Sequence, residues 1–366
     1  MPKIAEITAC LERLAPPAYQ ESYDNSGLIV GDFNAEVTNV LVSLDCTEAV
    51  IDEAIAQNCN LVVAHHPIVF KGLKKLNGKN YVERTVLKAI KNDVAIYAIH
   101  TNLDHVRGGV NDKIAQKLGL KNVRILAPKT GTLRKIVIFV PLANTQPLLD
   151  ALHAAGAGQV GNYSQCSFAA AGTGRFRPNE DANPVVGQRG SLESTSENRV
   201  EVIFPSHLQP NILAAMRAAH PYEEVAFYVS DLLNTDQNVG AGAIGELPEA
   251  LTTSAFLSFL KHNMNLRVIR HTSRTEGLIQ RVAVCGGAGS FLLHDALRQK
   301  ADAFVTADYK YHEFFDAEDR LIICDIGHYE SEVYTKELLQ GYLSENFPNF
   351  ATILCQTNTN PVNYYF

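Results

Sequence analysis

Leu61-Val62-Val63-Ala64-His65-His66-Pro67 is the stretch from which the fold can be read. Four apolar residues, two of them β-branched, are too few for a helix and match a strand buried on both faces. Two imidazoles leave the end of that strand, and Pro67 cannot extend its ladder. Upstream, residues 37–44 are a β-branched run ending at Asp45, and residues 47–57 carry helical periodicity. Further upstream, an amphipathic helix at about 3–14 precedes the turn Asn25-Ser26-Gly27. Downstream, a helix near 80–92 leads to a strand at 95–99 that closes in His100-Thr101-Asn102-Leu103-Asp104. Strands separated by helix-length stretches predict a mostly parallel sheet covered on both faces, an α/β fold.

The last third repeats this rhythm. Residues 281–284, 303–305 and 321–324 read as strands, and 291–299 and 330–343 as helices. The outer thirds, 1–128 and 239–366, therefore form one bilobed α/β domain. The middle differs. Residues 135–140 read as a strand, 146–155 as a helix and 167–171 as a strand, followed by a polar stretch from 172 to 198. Residues 199–204 (strand), 209–219 (helix) and 224–229 (strand) complete the segment. Strand-helix-strand twice is the order of a ferredoxin-like α+β domain. This places an inserted domain at 129–238, with linkers at Lys129-Thr130-Gly131-Thr132 and at 234–242.

Composition narrows the function classes. Hydrophobic residues make up 46% of the 366 and charged ones 19%, enough apolar surface for a substantial core. The net charge is −7 with no block of Lys or Arg and no Trp, so no nucleic-acid footprint is visible. Seven cysteines lie scattered without a CxxC, as free thiols of a reducing compartment do. The opening residues lack the apolar core of a signal peptide, and no apolar run reaches the roughly 20 residues of a membrane span. The expected location is the cytoplasm.

Four segments put metal-ligand chemistry directly after strands, where open α/β sheets hold their sites. They are His65-His66, the segment from His100 to Asp104, Asp308-Tyr309-Lys310-Tyr311-His312, and His328-Tyr329-Glu330-Ser331-Glu332. Adjacent histidines leave a strand in different directions and suit two neighbouring ions better than one. A helix beginning near His328 sets His328 and Glu332 on one face. Imidazole with carboxylate suits Zn, Mn, Fe or Ni rather than Ca or Mg alone. Each segment also has a bland reading: a strand-end turn, a core histidine at 100, Asp104 as a helix cap, a solvated helix face at Glu332.

Together these segments resemble a known family. Tyr23-Asp24-Asn25-Ser26-Gly27-Leu28-Ile29-Val30-Gly31-Asp32, His65-His66-Pro67, His100 to Asp104, Val284-Cys285-Gly286-Gly287-Ala288-Gly289-Ser290, Asp308 to His312 and Gly327 to Glu332 look like the signature segments of dinuclear-metal proteins called GTP cyclohydrolase I type 2 homologs, or NGG-interacting factor three-like proteins. The likeness runs in order over nearly the whole chain. It implies that His65, His66, Asp104, His328 and Glu332 hold two divalent ions. It also implies that the insert, with His220-Pro221-Tyr222-Glu223-Glu224, is similar to PII and CutA trimer-forming domains, in a toroidal homohexamer with trimer contacts through the insert. One segment departs: Ala243 in Gly240-Ala241-Gly242-Ala243-Ile244-Gly245 stands where the family usually has Arg. That puts any anion contact made there in question.

Two functions arise as expectations. The first is a metal-dependent hydrolase using an activated water, with Asp104 or Glu332 bridging the ions and His100 or His312 shuttling protons. Asp45, Asp308 and Lys310 would orient ligands or touch substrate. The family name implies a nucleotide, GTP, hydrolysed at its purine imidazole ring with loss of formate. Gly286 to Ser290 could cradle a phosphate or simply make a tight turn. The alternative is a non-catalytic regulatory or scaffold protein whose PII-like insert senses a ligand.

Overall fold

The computed structural model describes every residue except 275 and 366. It divides into two compact units: Met1–Pro128 with Asn238–Phe366, and Lys129–Gln237.

The first unit holds two sheets. One runs Gly27–Val30, Ala95–Ala98, Leu61–Ala64, Val40–Ser43, Thr352–Leu354, parallel throughout except at the Gly27–Val30 edge. The other runs Arg270–His271, Ile322–Asp325, Ala303–Ala307, Ile279–Ala288, Gly240–Leu251, Lys121–Pro128, with only its three interior strands from 322 to 288 mutually parallel. The alternation of each strand divides its side chains between layers. Leu61 and Val63 of the first sheet and Val282 and Val284 of the second enter one large core with Ile4, Ile7 and Leu11 of the helix Ile4–Leu14. Their neighbours Val62 and Ala64 face a second cluster with Val50, Ile51, Val86 and Ala89, under the helices Glu48–Ala56 and Tyr81–Lys91. Ala283 and Cys285 face a third with Leu293 and Ala296. Burial on both faces explains why these strands are continuous apolar runs in the sequence.

The second unit is a four-stranded antiparallel sheet ordered Phe168–Phe176, Glu193–Pro205, Leu133–Pro141, Phe227–Asp231, with the helices Thr145–Ala154 and Gln209–Ala219 packed on its apolar face. Along the chain the elements follow β-α-β-β-α-β.

Three details differ from the sequence reading. The two ends of the polar stretch 172–198 pair as a hairpin, Gly172 with Glu197 and Phe176 with Glu193, leaving residues 177–192 as the loop between. Backbone pairing and scattered side-chain contacts, such as the Phe176 ring against Tyr222, hold these residues, so no apolar alternation announces them. Residues 240–242, read as linker, open a twelve-residue strand. Glycine hid it: a Cβ at Gly240 would lie 2.3 Å from the Ala127 carbonyl, so close strand approach demands the residue that sequence rules read as a breaker. The helix expected at 330–343 is two, His328–Glu332 and Thr335–Asn346.

Candidate metal centre

The site collects at the C-terminal ends of parallel strands from both sheets of the first unit. Leu61–Ala64 delivers His65 and His66; Ala95–Ala98 delivers His100 and, one helical turn on, Asp104. Ile322–Asp325 leads through Gly327 into the helix His328–Glu332, whose two ends carry His328 and Glu332. Side chains distant in sequence thus line one cavity of about 1330 Å³, together with Asp45, Asp308 and Gly286-Gly287; only His65 lies behind the wall.

Glu332 is the centre of the arrangement. Its Oε2 lies 2.9 Å from His66 Nε2 and 3.0 Å from His328 Nε2, and the two imidazole nitrogens are 3.4 Å apart. Its Oε1 faces His65 Nε2 at 4.0 Å, and His65 Nε2 faces Asp104 Oδ1 at 3.6 Å. Two donor triads result, His66-His328-Glu332 and His65-Asp104-Glu332, each with ligand atoms within 4.8 Å of one another. They share one carboxylate. A third triad, His65-His66-His100, adjoins them.

Each imidazole is fixed from behind. His65 Nδ1 donates to the Ile99 carbonyl at 2.8 Å, His66 Nδ1 to Asp45 Oδ1 at 2.7 Å, and His328 Nδ1 to Asp308 Oδ2 at 2.7 Å. Anchored at Nδ1, all three turn Nε2 inward, the arrangement that orients a metal-ligating histidine. His65 Nε2 and Asp104 Oδ1 are buried yet make no hydrogen bond. Polar atoms so placed are costly unless a further partner, such as a cation, satisfies them. The charges agree. Burial drives the His65 imidazole down to about 3, so it is neutral and its lone pair is available. Burial and the charge of Glu332 push Asp104 well above the usual carboxylate range. Burial acts the same way on Glu332, but His328 and His66 outweigh it and hold that carboxylate well below its ordinary value. Burial likewise opposes charge on His66 and His328, yet Glu332 with Asp45 or Asp308 raises them to about 10 and about 9. Three imidazoles and two carboxylates enclosed in this way fit divalent cations, whose charge would let both carboxylates ionise. These residues could therefore hold metal ions.

A family model described as Duf34/NIF3 (NGG1p interacting factor 3) matches residues 2–361. The chain belongs to the Duf34/NIF3 family. It is 40% identical to the GTP cyclohydrolase 1 type 2 homolog of Halalkalibacterium halodurans and 36% to that of Bacillus subtilis, each match covering 98% of both chains. A crystal structure of a Bacillus cereus protein related to NIF3 superposes with a TM-score of 0.87 at 38% identity, over 100% of this chain and 99% of that one.

In this NIF3-family chain the remaining site candidates separate. His100 reaches the cavity, its ring 5.3 Å from both His65 and His66, with Nδ1 held by Asp24 at 2.8 Å. His312 does not: it is exposed, its ring against Tyr311 and Phe315, and it is absent from the cavity wall. A left-handed Asp308 and a buried Tyr309 carry the next residues outward. Lys310 goes with them and pairs with Glu313 at 3.9 Å. Asp104 does not cap the helix Val110–Lys117; that N-cap is Gly109. Of the N–H groups that a phosphate cradle at Gly286 to Ser290 would use, two are taken: the Gly286 N–H donates to Asn111 Oδ1 at 3.0 Å and the Gly287 N–H to Ser331 Oγ at 2.9 Å. Ala243, in the place of the family's Arg, is buried in the core.

Two parts of the site had no assigned role from sequence. Asp24 accepts from His100 and from the Thr101 N–H and hydroxyl, and although burial opposes its charge these bonds keep it well below the usual carboxylate range. The C-terminal residues Thr359, Asn360, Val362 and Tyr364 form part of the wall. Asp24 sits in the signature segment Tyr23 to Asp32, but its partner is 76 residues away.

Because the carboxylates behind His66 and His328 act by orienting the rings and raising their basicity, Asp45→Asn and Asp308→Asn are each expected to weaken metal binding by about 10- to 100-fold. Calorimetric titration with zinc checks this, and unchanged affinity in both variants would refute it.

Proposed function

We propose that this chain is a dinuclear-metal hydrolase acting on a nucleotide or a related small substrate. The observation that carries the proposal is the pair of ligand triads sharing Glu332 at the wall of a cavity large enough for such a molecule. Two divalent ions held there would polarise the bond under attack and acidify a water. His65 and Asp104 would serve one ion, His66 and His328 the other, with Glu332 common to both. His100 is the residue placed to move a proton: Nδ1 is occupied by Asp24, so Nε2 is the atom left to face the cavity. Asp24, kept ionised by its hydrogen bonds, holds the ring and stabilises it when it carries a proton.

The wall narrows the substrate. Among the described residues it contains seven carboxylates (Glu21, Asp45, Asp104, Asp308, Asp325, Glu330 and Glu332) and no lysine, and its single guanidinium, Arg270, is already 3.0 Å from Asp325. Counting the four positive charges of two divalent ions, the wall would still carry more negative than positive charge, and away from the ions a triphosphate tail would meet no lysine and no unpaired guanidinium. This favours a substrate of low net negative charge, such as a nucleoside or a monoester, over GTP itself.

The βαββαβ order of the insert, with its solvent-exposed strand Phe168–Phe176 and the exposed Phe168 and Tyr228, supports reading it as a PII/CutA-like module through which the chain self-associates, in trimers of a homohexamer. Light scattering tests that assembly, and a monomer would refute it.

Turnover of GTP, guanosine, and phosphate mono- and diesters by metal-loaded protein tests the hydrolase. His328→Ala is expected to abolish activity together with metal. His100→Ala is expected to keep the ions while losing about 10²- to 10⁴-fold in kcat. Full metal content with no turnover of any substrate would refute the enzyme reading.

A further inference from the structure

We infer that Thr359 is a positioning residue of the metal centre, acting through Asp45 on His66, and that the segment after the last strand is strapped down to put it there. The inference rests on the reading of His66 as a ligand.

The strap begins in the first sheet. Thr352–Leu354 runs parallel to Val40–Ser43, with Leu354 opposite Val42. The Cys355 N–H still donates to the Val42 carbonyl at 2.9 Å, so the two segments travel together just before one of them reaches Asp45. Glu53, on the outer helix Glu48–Ala56, then takes the chain over. Its carboxylate accepts from the Gln356 N–H at 2.7 Å, the Thr357 N–H at 2.9 Å and the Thr357 hydroxyl at 2.6 Å. The Cys355 thiol donates to the same carboxylate at 3.0 Å, and four bonds to one carboxylate leave that turn little freedom. Two residues later the Thr359 hydroxyl donates to Asp45 Oδ2. Asp45 Oδ1 accepts from His66 Nδ1 at 2.7 Å. Asp45 is therefore gripped through both oxygens, one by the imidazole it aims and one by the strap. Asn360 extends the hold to the opposite wall, its Nδ2 donating to Glu330 Oε1 at 3.0 Å, on the helix that carries His328 and Glu332.

A carboxylate behind a ligating imidazole sets the direction of the ring only as well as its own plane is set. A hydroxyl on the far oxygen sets that plane. Thr359 would thereby govern how the His66 lone pair meets its ion without touching ion or substrate.

Cobalt(II) titration of metal-free protein, read by its visible absorption, tests this with wild type, Thr359→Val, Thr359→Ser and Glu53→Ala; melting of the metal-free proteins runs alongside. Val has the shape of Thr without the hydroxyl and is expected to weaken one of the ions about 10-fold and to alter its spectrum. Ser is expected to bind as wild type. Glu53→Ala, outside the cavity, should share the loss by releasing the strap, which keeps the test alive if Thr359→Val does not fold. Wild-type affinity in the Val and Glu53 variants, or a Ser variant as weak as Val, overturns the inference. A lower melting temperature with unchanged affinity overturns it too, since the bond would then be structural only. Wild type that takes up no cobalt defeats the metal reading itself, and the inference with it.

Discussion

If two ions bind as proposed, Glu332→Gln is expected to cost the chain both, with the affinity of each falling by roughly 100-fold or more, beyond the loss for a residue behind a ligand. The substitution keeps the volume of a nearly fully buried side chain, so packing is not at issue. The chemistry is. Oε2 serves His66 and His328, and Oε1 faces His65 on the side of Asp104. An amide must present its NH₂ to one triad, where a donor cannot ligate, and a neutral carbonyl to the other. It also removes the negative charge that the two triads share. Metal analysis after dialysis against buffered zinc reads the result. One ion retained at full occupancy would show that the triads are served by separate carboxylates and that Glu332 is not their common member.

The second large effect is expected at a residue with no side chain. Gly287 has φ +60°, and a Cβ there would lie 2.5 Å from Glu332 Oε1 and 3.1 Å from His328 Cε1. In Gly287→Ala the left-handed backbone costs about 1–2 kcal/mol. The contact adds about 1–3 kcal/mol, the cost of overpacking a filled space. Glu332 cannot simply retreat, because its bonds to His66 and His328 hold it. The variant should melt clearly lower and bind metal poorly. Gly341→Ala is the control: it lies in the helix Thr335–Asn346 with open space around its missing Cβ, and it should gain about 0.5–1 kcal/mol in thermal or urea unfolding. Equal stability of Gly287→Ala and wild type would mean that the carboxylate is free to move, against the contacts that hold it.

Much of this protein is written in local pattern. Leu61–Ala64, Ala95–Ala98 and Ile322–Asp325 are legible because strands buried on both faces must be short apolar runs, and the residues directly after such strands are polar where a site is built. That rule picks out His65, His66, His100, Asp104, His328 and Glu332 along with Asp308 and His312, and the resemblance to the family implies which five of them are ligands. The spacing of His328 and Glu332 needs only one turn of helix to bring them to one face. Where pairing is carried by backbone, as in the hairpin at 172–198, or by glycine, as in the strand from Gly240, side-chain pattern is silent.

Tertiary structure alone decided the rest. That Glu332, rather than Asp104, stands between the triads depends on how two sheets face each other, which no spacing encodes. Asp24 behind His100 and Thr359 behind Asp45 are likewise contacts between segments far apart in the chain, and the turn that removes His312 follows from the left-handed Asp308 and the burial of Tyr309 in the folded core. The physical reason is range. Residue type and period specify which atoms a strand end can offer, because those depend on neighbours along the backbone. Which donors meet, and which nitrogen of each imidazole is left to meet an ion, depends on packing that only the closed core supplies.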